Sequence, residues 1–330
     1  MTNEDMKTVK FNKIFILESL ALKIGQDDLA AVGANLYRSI NDKISELRYT
    51  DSEYKNLSCE HIKIKGRDSW AKTFSRIIEE CKKDDCKPII HLVCHGEDKA
   101  VILADSDGAS EISMPWEDLL NYFEAVNLMC CNHLLVTMCV CHGFWSMTHI
   151  LDEHHRIPFC GLLSSPDTVS AEEVSILLPA FYTTLFKEGN VHDAMKKLDK
   201  AADYLIEEGG TIARWFFNFT DKEFVKAAYK DYEKRSSLHG IRKMAKKTFR
   251  ELGYKRVSER MIKKYLGNNF RRVPFIYTAL RDYKFMFDIY PQERDRFDLP
   301  ETYDELRFLD LGPIEEDYGD LMIIKSTNRK

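Results

Sequence analysis

Two apolar runs, each ending in a glycine turn that carries a histidine or cysteine, organise the chain. Ile89-Ile90-His91-Leu92-Val93-Cys94 delivers His95-Gly96, and Leu134-Leu135-Val136-Thr137-Met138-Cys139-Val140 delivers Cys141-His142-Gly143. Apolar runs of this length bounded by glycine read as strands buried on both faces, as in parallel sheets. Lys13–Leu17 predicts a first strand. Leu29, Val32, Leu36, Ile40 and Ile44 recur at helical spacing and predict a helix over Asp28–Leu47. Cys59–Ile64 alternates, as an edge strand does, and a helix over Ser69–Cys81 precedes the strand that ends at His95. Ala100–Ala104, the turn Ser106-Asp107-Gly108 and Ile112 predict a hairpin.

Pro115-Trp116-Glu117-Asp118 opens another helix, with proline in its first turn and acids at the positive end of the dipole. Beyond the cysteine strand the pattern predicts a helix over Phe144–Asp152 and a strand over Pro158–Ser164. Helices over Ser170–Phe186 and Val191–Glu207 follow, joined at Gly189-Asn190, and Thr211–Phe219 reads as an aromatic-rich strand. Strands alternating with helices imply an α/β fold with a largely parallel sheet. From Asp221 onward the alternation gives way to charged helical periodicity. The expected organisation is therefore one α/β domain over residues 1–220 and a helical extension over 221–330.

Composition narrows the classes. The 330 residues carry a net charge of −5, but unevenly. Residues 234–272 hold fourteen Lys and Arg against two Glu, while the stretch before them is acidic and the last forty residues turn acidic again. No apolar run reaches the roughly 18 residues that span a bilayer. The polar, acidic start is unlike a secretory leader. Nine cysteines, several inside apolar runs, read as reduced thiols and point to a cytoplasmic location, not a disulfide framework.

The chain resembles the caspase–separase superfamily of cysteine peptidases, in particular its CHAT branch. Three blocks carry the resemblance: His91–Gly96, Leu135–Gly143, and Phe159–Ser164 continuing into Pro179–Gly189, which is similar to the F-Y-x-x-L-x-x-G stretch of CHAT domains. It covers residues 10–220 and leaves the C-terminal third aside. It implies a caspase-like, mostly parallel sheet with helices on both faces and a Cys-His dyad that needs no cofactor. It also implies endopeptidase activity on a dedicated protein substrate, with a regulatory protein partner, in prokaryotic antiviral defence or regulated proteolysis.

Amide hydrolysis by cysteine needs a thiolate, an imidazole and donors for the oxyanion. Cys141 stands where a strand hands over to a helix, so the helix dipole favours its thiolate. By resemblance Cys141 is the nucleophile and His95 the proton shuttle. Gly96, with the Cys141 amide, forms the oxyanion hole, since glycine lets the backbone approach closely. Cys139, two residues earlier, shares a strand face with Cys141 and is a candidate pocket residue. Asp167, after the next strand, is the candidate acid for binding a basic substrate residue, and Glu18 is a second. Taken singly, each of these has a bland reading as a packed thiol, a buried histidine or a cap residue. Cys94-His95, Cys130-Cys131-x-His133, Cys139-x-Cys141-His142 and His154-His155 supply soft metal ligands, but without paired C-x₂₋₄-C knuckles, and no metal is expected.

The basic stretch Arg242–Lys264 reads as helix–turn–helix, with Ser258 as an N-cap. Such a stripe suits nucleic-acid phosphates or the acidic parts of this same chain. The alternative to an enzyme is a catalytically inactive caspase-like scaffold that binds protein or nucleic acid through this region.

Overall fold

The computed structural model describes residues 11–21, 31–83, 86–146, 156–207, 213, 215–219, 278, 281–297 and 299–301. Its strands are β1 (Lys13–Ser19), β2 (Ser58–Lys63), β3 (Pro88–Glu97), β4 (Ala100–Ala104), β5 (Glu111–Pro115), β6 (Leu135–Cys139), β7 (Gly161–Ser164) and β8 (Phe216–Phe219). The helices are α1 (Val32–Thr50), α2 (Arg67–Cys81), α3 (Trp116–Met129), α4 (Ala171–Glu188) and α5 (Val191–Glu207). The main sheet runs β2-β1-β3-β6-β7-β8, parallel throughout except for β8, which pairs antiparallel with β7. The β4–β5 hairpin grows from the far end of β3. The fold is α/β, a mostly parallel sheet with helices on both faces, as the alternation predicts, and β2 lies at an edge.

Side chains on β3 and β6 alternate between two cores, because successive strand residues point to opposite faces. Leu92, Val136 and Met138 pack against Trp70, Phe74 and Ile77 of α2 and Leu119, Phe123 and Val126 of α3. Val93, Leu135 and Cys139 face Leu36 and Ile40 of α1 and Leu177, Phe181 and Leu185 of α4. This double burial is why both strands read as continuous apolar runs. Helix α4 starts from a capping box: Ser170 Oγ accepts from Glu173 N–H at 3.2 Å, and Glu173 Oε2 accepts from Ser170 N–H at 2.7 Å.

Three elements differ from the pattern. Strand β3 does not end at His95, because His95, Gly96 and Glu97 pair with Ile102, Val101 and Ala100 of β4. Strand β7 starts at Gly161, not Pro158, which has no N–H to give a ladder. The expected helix over Phe144–Asp152 is a 3₁₀ turn over Gly143–Ser146, and residues 147–155 lie outside the described residues.

The chain divides into two compact units, Met1–Thr220 with Asp282–Phe297, and Asp221–Arg281 with Asp298–Lys330. The first unit thus takes back a segment from within the expected extension. Phe285, Met286 and Phe287 of that segment are buried. Lys284 O accepts from Ile157 N–H at 3.0 Å, and Arg156 grips the Asp288 carboxylate at 2.7 and 2.8 Å. Tyr290 Oη donates to Leu128 O at 2.9 Å. In the second unit, Arg281 donates to Pro300 O at 2.8 Å and meets Glu301 Oε2 at 3.1 Å. The Arg242–Lys264 stretch and its expected helix–turn–helix lie outside the described residues.

Beneath the carboxyl end of β3, His91 is fully buried with Nδ1 2.8 Å from Tyr182 Oη of α4. Its Nε2 has no hydrogen-bond partner among the described residues. Burial pushes its pKa down to about 3, since an imidazolium there has neither water nor a counter-ion. His133 is pushed down to about 4, by burial first and Arg296 second. An unfolded histidine protonates near pH ~6.5. These lowered folded values leave stability complete above that pH and lost progressively as pH falls toward 3. His91 alone accounts for about 2 kcal/mol between pH 7.5 and 5. Urea unfolding at the two pH values checks this: the wild-type unfolding free energy falls on acidification, and the fall is smaller by about that amount in His91→Leu. An equally steep fall in the variant would assign the acid sensitivity to other groups.

Candidate active site

Beyond Cys139 the chain reverses. Gly143 N–H donates to Val140 O at 3.0 Å, closing a β-turn with Cys141 and His142 at its centre. His142 has φ 61°, in the left-handed region, as the third residue of a type II turn requires. The turn leads directly into the 3₁₀ segment Gly143–Ser146. Cys141 therefore sits at the tip of a tight turn between β6 and a 3₁₀ segment, on the carboxyl edge of a parallel sheet, where α/β folds place their ligands.

The register of β3 on β6 brings His95 to the same place. Val93 faces Cys139 at the last ladder position, and two residues further along lie His95 and Cys141. Gly96 confirms the approach. A Cβ built there would lie 2.3 Å from Cys141 O and 2.3 Å from Val140 Cγ1. No other residue type fits without moving the Cys141 turn. By strand alternation His95 projects on the same face as His91 and Val93.

Three thiols lie near this edge, and burial separates them. Cys94 and Cys139 are 5% and 7% exposed, whereas Cys141 is half-buried. Burial pushes both buried thiols up, with Cys141 adding to the effect at Cys94, and Cys94 and then Glu173 adding to it at Cys139. Cys139 packs with Val93 and Leu163 in the core below the turn. Of the three, Cys141 alone is open to solvent in part.

The loop after β7 runs along the same turn. His142 N–H donates to Asp167 O at 3.2 Å and Phe144 N–H to Ser165 O at 3.1 Å. His142 Nδ1 lies 2.8 Å from Pro166 O. Asp167 is half-buried, and its own N–H donates to Ser165 Oγ at 3.0 Å. Asp98, on the turn between β3 and β4, places Oδ1 4.0 Å from His142 Nδ1. Sequence reasoning passed over Asp98; its one signal is an acid three residues after the histidine at a hairpin turn.

The structure thus gathers His95, Gly96, Cys141 and the backbone of Asp167, but not Glu18. The Glu18 carboxylate is 5% exposed, with Oε2 3.0 Å from His61 Nε2 and Oε1 3.2 Å from Lys63 Nζ, both on β2. Burial raises its pKa, and the His61 bond and the Lys63 charge together outweigh that and hold it below the ordinary value. Gly33 of α1 leaves room for this cluster, because a Cβ there would lie 2.2 Å from Oε2.

No protein-family model matches the chain, and no curated protein does. Among solved structures, the chain is similar to the X-ray structure of a secreted C11 cysteine protease from Bacteroides thetaiotaomicron in complex with an irreversible peptide inhibitor. The two share 10% identity and a TM-score of 0.42, over 68% of this chain and 70% of that one.

Among the described residues, no group of three or more His, Cys, Asp or Glu side chains is arranged to hold a metal ion. His133 turns Nδ1 to the carbonyls of Cys130 and Cys131 at 3.1 and 2.9 Å. No helix among the described residues is long and apolar enough to cross a membrane.

Replacing Gly96 tests the central contact. Gly96→Ala drives a methyl group into backbone that no rotamer change can clear, at a cost of about 1–3 kcal/mol. Its thermal midpoint is expected to fall by several degrees and its rate of Cys141 alkylation, followed by mass spectrometry, to depart from wild type. A variant that matches wild type in both would show that the β3 backbone and the Cys141 turn are not pressed together.

Proposed function

We propose that this chain is a cysteine endopeptidase whose dyad is Cys141 and His95. The observation that supports it best is the Gly96 backbone pressed against the Cys141 peptide, which sets the His95-Gly96 end of β3 beside a half-buried cysteine. In this reading His95 takes the thiol proton, and Cys141 Sγ attacks the scissile carbonyl carbon. The oxyanion is met by backbone N–H groups of Gly96 and Cys141. The imidazolium then protonates the leaving amine. Water, deprotonated by the same imidazole, cleaves the thioester and frees the acid product. No metal or cofactor takes part.

Selectivity follows from charge at the loop beside the nucleophile. Asp167 is the acid this loop carries to the Cys141 turn, and a carboxylate there binds Arg, bidentately, or Lys of the substrate. Cys139 floors the pocket from below. The engaged Glu18 shapes the neighbouring edge of the sheet. Resemblance to CHAT peptidases supports a dedicated protein substrate, a regulatory partner, and a role in defence or regulated proteolysis. Within the extension, Arg242–Lys264 is the proposed contact for that partner or for nucleic acid.

Cleavage of a candidate partner protein, followed by mass spectrometric mapping of the cut sites, checks the dyad. Cys141→Ala is expected to abolish cleavage and His95→Ala to reduce it by about 100-fold or more. Undiminished cleavage in either sinks the assignment. Failure of a peptidyl electrophile to label wild-type Cys141 would favour the inactive scaffold instead.

Peptides with Arg, Lys, Asp or Leu before the reporter group check the pocket. Wild type should prefer Arg and Lys. Asp167→Ala should lose roughly 30-fold or more of kcat/KM on Arg, the equivalent of about 2 kcal/mol for a broken desolvated charge pair. An unchanged Arg preference in that variant would show that Asp167 does not line the pocket.

A further inference from the structure

We propose that His142 is a positioning residue that locks the Asp167 loop to the nucleophile turn, so that the substrate pocket and the attacking sulfur are held at one fixed distance. The inference rests on the peptidase reading above and specifies what registers its pocket on its nucleophile.

Three ties join the nucleophile turn to the loop after β7. Two are backbone bonds that almost any sequence would make, from His142 N–H to Asp167 O and from Phe144 N–H to Ser165 O. The third depends on the side chain, because His142 Nδ1 reaches Pro166 O at 2.8 Å. A peptide carbonyl only accepts, so Nδ1 carries the proton and donates. The backbone points the same way. With φ 61°, His142 occupies a turn position that glycine or asparagine takes most readily. A non-glycine residue stays in that region only where its surroundings hold it there, and such residues concentrate at functional sites. Asp98 contributes little, since its Oδ1 is 4.0 Å away and both side chains are partly exposed. The Pro166 bond is thus the side-chain contact that fastens the ring to this loop.

Asparagine supplies the test, because its Nδ2 stands where Nδ1 of histidine stands and it tolerates positive φ. Aspartate has the same shape without a donor, and glycine has neither ring nor strain. Wild type, His142→Asn, His142→Asp and His142→Gly are reacted with an acyloxymethyl ketone peptide ending in arginine. The inactivation rate constant at saturation and the half-saturating concentration are measured separately, with iodoacetamide alkylation of Cys141 and thermal melting as controls. The expected result is a near wild-type saturation rate in His142→Asn. His142→Gly and His142→Asp should lose about tenfold or more of that rate, with half-saturation little changed, because the pocket persists but is misaligned with the sulfur. Iodoacetamide should still reach Cys141 in all four proteins. If the glycine variant fails to fold, the asparagine–aspartate pair decides. A glycine or aspartate variant that reacts like wild type overturns the proposal, as does an asparagine variant as slow as the aspartate one. A wild-type protein that ignores the peptide probe while iodoacetamide alkylates Cys141 overturns the peptidase reading, and this one with it.

Discussion

The parallel pairing of β3 with β6 is the constraint on which the site depends. Its register sets Val93 opposite Cys139, and continuing it by two residues carries His95 and Gly96 to the turn that begins at Val140. Side chains repeat every two residues along a strand. A slip of one would therefore send His95 to the α2–α3 face and turn Val93 out of its core. The register is held by burial on both faces. Leu92 and Met138 fill one core, and Val93 and Cys139 the other. Hydrophobic packing that has no chemistry of its own thus decides where the histidine and the thiol stand.

The strand that bears His95 is anchored from below by a polar contact in an otherwise apolar layer. His91 is buried and bonded to Tyr182, four residues along the chain from His95 and on its face of the sheet. Burying a ring nitrogen with no partner costs stability that an apolar residue would not. A leucine at His91 could fill the space but could not fix the orientation of α4 through a directional bond. Helix α4 in turn begins just past the Asp167 loop, at the Ser170 cap. The buried histidine therefore ties the floor of the site to the helix that follows its rim.

The returning segment Asp282–Phe297 serves the opposite edge of the sheet. It covers the turn between α3 and β6, where Asn132 Nδ2 donates to Phe285 O at 3.4 Å, and it clamps Arg156, at the entry to β7. Asn127 completes this layer from within, donating to Asn132 Oδ1 at 2.7 Å and Ile157 O at 2.9 Å. The chain therefore leaves the first unit after Thr220, passes through the residues of the second, and comes back to brace the amino ends of β6 and β7. The candidate site at one edge and the returning segment at the other share the same two strands.

What the sequence determined by itself is what depends on local periodicity. The apolar runs of β3 and β6, the helix over Leu36–Ile44 and the edge character of β2 follow from spacing alone. The Ser170 and Gly189 ends of α4 follow from capping chemistry. That His95-Gly96 and Cys141 reach one edge of the sheet was legible because both motifs follow apolar runs in one parallel sheet. Tertiary structure decided the rest. Burial, which no short window reveals, separated Cys141 from Cys94 and Cys139. Partners on β2 took up Glu18, forty-three residues from His61 along the chain. Asp98 approached the site through the β3–β4 turn, and Asp282–Phe297 returned to the first unit through contacts spanning more than a hundred residues. Such contacts depend on which surfaces meet after the chain collapses, and no local pattern of hydrophobic and polar positions encodes them.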